Sequence, residues 1–201
     1  MTLRARPSAR PRSRARVVRR GWCALAAVLA AAGAGAAVTR DPRVIPRLAG
    51  RWAVYRAGGQ MLAGADVVLQ AGPSDCGPAA LAHALRLGGY RTPSLATLAR
   101  LAHTTAAGTS LPRLAAAAGL LGAPARLIVG AGARFTGATP PAPPPLVAWV
   151  DRSHFVVLER VTARGVQIAD PAVGRYLLPR PALRRRWSDA VLAVPPRRRI
   201  P

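Results

Sequence analysis

The chain contains no lysine and few acids: all 30 of its basic side chains are arginine, set against 7 Asp and Glu, for a formal net charge of +23 over 201 residues. Such an excess ordinarily points to nucleic acid or an anionic membrane. Here it runs through a chain crowded with Ala, Gly and Pro, a pattern that looks like coding bias rather than a binding footprint. Eight arginines fall in residues 1–20, eight in 175–201, and the other 14 are scattered. Aromatic residues are also scarce, at 4%. No series of Phe or Tyr alternates with arginine to stack bases, so a dedicated single-strand binder is not expected and nucleic acid is not among the expected partners. Of the two cysteines, Cys23 lies in an apolar run and Cys76 in a polar, turn-like segment. A structural disulfide between them is not expected.

What is present is apolar: 51% of residues are hydrophobic, enough for one globular domain with an appendage. Residues 1–40 form that appendage. "MTLRARPSARPRSRARVVRR" is basic and free of acids, and "GWCALAAVLAAAGAGAAV", residues 21–38, carries no charge. A basic segment before an apolar run reads as a cleaved signal peptide or an uncleaved membrane anchor. In either case the arginine excess places the start in the cytoplasm and the rest beyond the membrane. Cys23 begins the apolar run, whereas a lipid-modified cysteine is expected at its end, so it reads as an ordinary apolar residue.

Residues 41–60, with Pro, Arg and Gly, read as a linker with at most a short strand; residues 61–195 read as the domain and 196–201 as a basic tail. From Gly77 to Leu87, "GPAALAHALRL" has helical spacing, Gly88 and Gly89 end it, and Asp75 or Ser74 can cap its start. "SLATLARLAHT" and "SLPRLAAAAGLLG" each open on a serine in N-cap position. After "ARLIVG" and a proline-rich loop the period shortens: "LVAWV", "HFVVLERV", "GVQIAD" and "RYLLP" are Val- and Ile-rich runs separated by turn residues. The expected class is α+β, a helical N-terminal half followed by an antiparallel sheet.

"VLQAGPSDCGPAA", residues 67–79, sets Cys76 at a helix start. A thiol with an ordinary pKa of about 8.5 becomes a nucleophile near neutrality when a helix N-terminus and an imidazolium stabilise the thiolate. Attack on an amide puts charge on the carbonyl oxygen, which the Gln70 side chain and the Cys76 N–H are candidates to receive. Three histidines are available as base. His83 lies on the same helix as Cys76, roughly 10 Å away at about 1.5 Å per residue, and His103 ends a surface helix. His154 opens one strand and Asp170 ends the next, so two antiparallel neighbours can bring them side by side, the acid fixing the imidazole tautomer.

Taken together, "QAGPSDCGPAALAHAL", "GTSLPRLAAAAGLLGAPARL", "PPPLVAWVDRSHFVVLERV", "GVQIADPAVGRYLLP" and "RRRWSDAVLAV" resemble the bacteriocin-processing peptidases of family C39. The blocks run in order from Val67 to Val194. The resemblance implies a papain-like fold and a thiol protease, with Cys76 as nucleophile, His154 as general base, Asp170 orienting it and Gln70 as oxyanion donor, without cofactor or metal. The implied partner is a peptide or protein substrate. Many members carry an exporter and ATPase after this domain and cut a leader on the cytoplasmic side. No Walker sequence or further apolar span is present here, so the expectation is a stand-alone exported or anchored form, any exporter being a separate chain. A catalytically silent module that binds a peptide for an envelope or secretion system is the alternative. Around the constellation, Asp75 reads as a helix cap that points away from the thiol, Asp151 and Glu159 as surface charges, and the arginine runs at 184–186 and 197–199 as solvated. "RRRWSDAVLAV" reads as a final strand whose Trp187 covers the sheet.

Overall fold

The computed structural model describes residues 44–64, 66–131 and 140–197. The basic and apolar segments of residues 1–40, Cys23 included, lie outside the described residues, as does the end of the basic tail. Among the described residues no helix is long and apolar enough to cross a membrane.

The architecture is α+β, as expected. Helix α1 (Val44–Arg56) and the short strand β1 (Gln60–Met61) come first. Three helices follow: α2 (Cys76–Leu87), α3 (Leu95–Leu101) and α4 (Leu111–Leu120). Then come β2 (Arg126–Val129), β3 (Leu146–Val150), β4 (His154–Thr162), β5 (Gly165–Asp170), β6 (Gly174–Leu178), helix α5 (Arg180–Arg186) and β7 (Trp187–Ala193). Among the described residues the strands form a seven-stranded sheet in the order β1-β6-β5-β4-β3-β7-β2, every neighbouring pair antiparallel.

Alternation along the strands sorts side chains to the two faces of the sheet. On β4, Phe155 and Val157 join the helical side with Leu81, Leu85 and Leu114. Val156 and Leu158 point the other way, toward Ile168, Tyr176, Leu178 and Leu183. Because both faces are covered, these strands read as near-continuous apolar runs. α2 buries every residue from Cys76 to Leu85, since it is wedged between the sheet and α3 and α4. Leu81 and Leu85 have no exposed surface, and burying each contributes about 1.5–3 kcal/mol. The helix ends as its glycines predict: Gly89 takes a positive φ of 74°, and Tyr90 N–H returns to the Leu85 carbonyl at 2.9 Å, an arrangement glycine allows without strain.

Two expectations are corrected. Residues 41–60 do not form a mere linker: they hold α1, whose Val54 is 2% exposed in the core. The helix escapes a periodicity test because Gly50 and Val54, rather than a broad apolar stripe, make its inward face; a Cβ on Gly50 would come within 2.6 Å of Val173. The expected short strand falls at Gln60–Met61, paired with β6. "RRRW" is not the start of a strand, since Arg180–Arg186 form α5 and β7 begins at Trp187. Trp187 itself packs against the core as expected. "ARLIV" adds a further strand, β2, at the sheet edge beside β7.

Candidate active site

Cys76 is the first residue of α2, a free thiol with 7% exposure. The helix start sits tight against its neighbours because residue 77 is glycine. A Cβ there would lie 2.5 Å from Thr109 Cγ2 and 3.2 Å from Phe155 Cδ2. Neither Asp75 nor Ser74 caps the helix with its side chain. The Asp75 carboxylate accepts from Gly72 N–H at 2.8 Å, and Ser74 Oγ donates to the Ala106 carbonyl at 2.9 Å. The capping expectation fails because the preceding turn takes Asp75 and the loop after α3 takes Ser74.

His154 is set by the turn between β3 and β4. Asp151 and Arg152 both take positive φ, 52° and 53°, and Ser153 N–H closes the turn on the Val150 carbonyl at 3.2 Å. Two consecutive left-handed residues without glycine cost about 1–2 kcal/mol each, so the turn needs external support. Arg186 supplies it: its carbonyl accepts Asp151 N–H at 2.7 Å, and its guanidinium meets the Asp151 carboxylate at 2.6 Å. Asp151 is therefore a surface charge with a structural task, and Arg186 is not simply solvated.

Asp170 closes β5, one strand away from His154. His154 Nε2–H donates to Asp170 Oδ1 at 2.8 Å, which leaves Nδ1 as the ring nitrogen for the thiol. The same Oδ1 accepts Ala172 N–H at 2.8 Å, and Oδ2 accepts from the Tyr176 hydroxyl at 3.3 Å. Asp170 thus opens a turn ahead of Pro171 and faces the imidazole at once. Its exposure is only 2%, and the three donors are what make a buried carboxylate tolerable. Tyr176, itself 1% exposed, escapes notice in the sequence, where "RYLLP" registers only as a strand. Burial, and then the neighbouring Asp170 charge, push its hydroxyl far above the usual range, so it stays a donor.

The His154 imidazole lies beside the Cys76 thiol and acts on its titration. Burial pushes the thiol up, but the neighbouring His154 side chain, the N–H groups of Phe155 and Gly77 and the imidazolium charge together take it below its ordinary value. For His154, burial works to remove the proton, while Asp170 and Cys76 hold it, raising the imidazole to about 10. This is the electrostatics of a thiolate–imidazolium pair.

Gln70 lies at the margin of this group. Its backbone N–H donates to the Pro171 carbonyl at 3.0 Å, tying it beside Asp170. Its side-chain Nε2 donates to the Gly72 carbonyl at 2.9 Å, and its Oε1 is buried without a partner among the described residues. The structure therefore bonds His154 to Asp170, sets the imidazole beside Cys76, and holds Gln70 next to them with its amide turned to Gly72.

The other histidines are elsewhere. His103 is exposed beyond the end of α3. His83, 2% exposed, contacts Glu159 Oε1 at 2.7 Å. Glu159 is not a surface charge: its side chain is 6% exposed and also accepts from Gln167 and Arg175, both at 2.7 Å. The signal was its place in β4 directly after the buried run Phe155–Leu158, where an acid is held by partners from the neighbouring elements. Among the described residues, no three His, Cys, Asp or Glu side chains are grouped to hold a metal ion.

One cavity adjoins the thiol and a second lies beside it. A cavity of about 90 Å³ is lined by Cys76, Ala106, Gly108, Thr109 and Ser153. Next to it, an apolar cavity of about 290 Å³ is lined by Leu111, Leu127 and Ala190. Trp149 and Phe155, their rings 4.4 Å apart at 56°, line both.

The fold has counterparts among known proteins. The fold is similar to that of a double glycine motif protease from an AMS/PCAT transporter, solved with the leader peptide, at a TM-score of 0.59 and 22% identity over 69% of this chain and 96% of that one. It is also similar to the peptidase domain of Streptococcus ComA, a bifunctional ABC transporter, at 0.57 and 25% identity over 65% and 97%. An uncharacterized protein of Methanothermobacter marburgensis is 35% identical over 131 residues, 64% of this chain and 87% of that protein. Residues 65–199 match the Peptidase C39 family. With its helices, seven-stranded antiparallel sheet and a cysteine opening the buried helix, the chain belongs to the peptidase C39 family.

Proposed function

We propose that the chain is a cysteine peptidase in which Cys76 is the nucleophile, His154 the general acid–base and Asp170 the group that orients it. The observation that carries this reading is the His154 imidazole held by Asp170, Nε2 to Oδ1 at 2.8 Å, beside the Cys76 thiol whose titration it lowers. The thiolate attacks the carbonyl carbon of the scissile bond. The C–N bond then breaks as the imidazolium proton passes to the leaving amine, and water, deprotonated by the neutral imidazole, hydrolyses the thioester and restores the thiol. Charge on the carbonyl oxygen is received by the Cys76 N–H at the helix start and by the second Nε2 hydrogen of Gln70.

The substrate is a peptide with small side chains at the cut and an apolar side chain nearby. The small cavity at Cys76, walled by Ala106 and Gly108, suits the first, and the larger apolar cavity suits the second. A protease of similar fold is known in complex with a leader peptide, which supports a peptide as occupant. From the charge distribution of residues 1–40 we place the domain beyond the membrane. Hydrolysis of a peptide library by the purified chain, lost in Cys76→Ala, tests the reading; unchanged turnover in that variant overturns it.

A second reading, a silent module that binds peptides, is favoured by the Gln70 amide, whose donor is engaged by Gly72. Peptide affinity without cleavage, together with ordinary Cys76 reactivity, supports it.

A further inference from the structure

Helix α1 has an apolar face that is exposed among the described residues. At about 100° per residue, Leu48, Trp52 and Tyr55 fall within about 60° of arc, opposite Gly50 and Val54, which pack inward. The three are 57%, 61% and 70% exposed, and the Trp52 and Tyr55 rings stack with centroids 5.7 Å apart. On the same helical wheel Arg51 lies on one flank of this face and Arg56 on the other, both exposed. The helix "VIPRLAGRWAVYR" contains no acid.

We propose that this face docks the domain on an anionic lipid bilayer, with Leu48, Trp52 and Tyr55 in the interfacial layer and Arg51 and Arg56 on lipid phosphates. Four features select lipid as the occupant. Contiguous exposed apolar side chains mark an interaction surface. Trp and Tyr join an apolar ring to a polar edge and suit the headgroup level. Arginines bordering an apolar stripe, with no acid, match an anionic surface. Finally, the uncharged run of residues 21–38 ends five residues before Val44, and at about 3.4 Å per residue those residues reach no more than about 20 Å. At 13 residues α1 is about 20 Å long, too short to span a bilayer core of about 30 Å, so it lies in the surface plane. Its inward face holds the domain beside it. None of this depends on peptide-bond chemistry.

The test is fluorescence quenching of the full chain in vesicles of phosphatidylcholine and phosphatidylglycerol, using Trp52→Phe to isolate the Trp52 emission by difference. The expected result is that lipids with brominated acyl chains quench that emission by about half or more, while aqueous iodide spares it. In the double variant Arg51→Gln/Arg56→Gln, or without phosphatidylglycerol, bromolipid quenching falls. Quenching by iodide alone places the face in water and overturns the proposal. Quenching by neither agent means that protein covers the face, a second copy or another segment, and overturns it equally. So does a chain that fails to associate with the vesicles.

Discussion

His154 and Asp170 meet at 2.8 Å although one opens β4 and the other closes β5. Antiparallel pairing brings the start of one strand beside the end of the next, and two supported turns, at Asp151–Arg152 and at Pro171, fix where each side chain points. The imidazole beside Cys76 is thus anchored on its far side.

This pairing sets the pH response of the thiol. Thiolate persists above the lowered Cys76 value, and the imidazole keeps its proton up to about 10. Alkylation of Cys76 is expected to show thiolate reactivity well below pH of about 8.5. In His154→Ala the opposing effect of burial remains, so reactivity is expected to move to or above the ordinary range. A titration that is the same in both proteins would refute the ion pair.

Asp170→Asn keeps the volume but removes the charge that holds the imidazolium. Peptide turnover is expected to fall about 10²-fold or more, with the thiol titrating higher. Tyr176→Phe removes one of three donors to the carboxylate and is expected to cost about 1 kcal/mol in urea unfolding, with a smaller loss of turnover. Equal losses of turnover in the two variants would contradict the division between charge and support.

Glu159 links stability to acid. Burial works to raise its carboxyl, but His83, Arg175 and Gln167 override it and hold the group at about 2. Because the folded value is depressed, its contribution is present above about pH 4.5 and is lost as pH falls toward 2. Glu159→Gln is expected to lower stability at neutral pH and to flatten the decline in this acid window. Glu159→Ala, which leaves buried His83 without its acid and Arg175 with Asp66 alone, is expected to cost about 1–3 kcal/mol. Denaturant titrations at several pH values measure both.

Gly77→Ala drives a methyl into Thr109 and Phe155. The expected cost is about 1–3 kcal/mol, read as a lower melting temperature. Because both neighbours line the small cavity, KM for the peptide is expected to rise as well. An unshifted melting point would show that the helix start is looser than its contacts indicate.

Local patterns determined much of this protein. Serine ahead of α3 and α4, paired glycines after α2 and runs of Val and Ile separated by turn residues mark most element positions, because caps, turns and side-chain alternation act over a few residues. Helical rise alone removes His83 as a partner for Cys76, and the adjacency of β4 and β5 follows from a short turn between them. Other features depended on groups distant in the chain. α1 is held by Val54 and by the space that Gly50 leaves for Val173, contacts without a periodic signature. Glu159 looks like a surface acid until Arg175, His83 and Gln167, from three other elements, surround it. Asp75 and Ser74 look like caps until Gly72 and Ala106 engage them. Tyr176 meets Asp170 through the β5–β6 register. A polar side chain can be buried wherever its partners are, and tertiary packing decides which partners arrive.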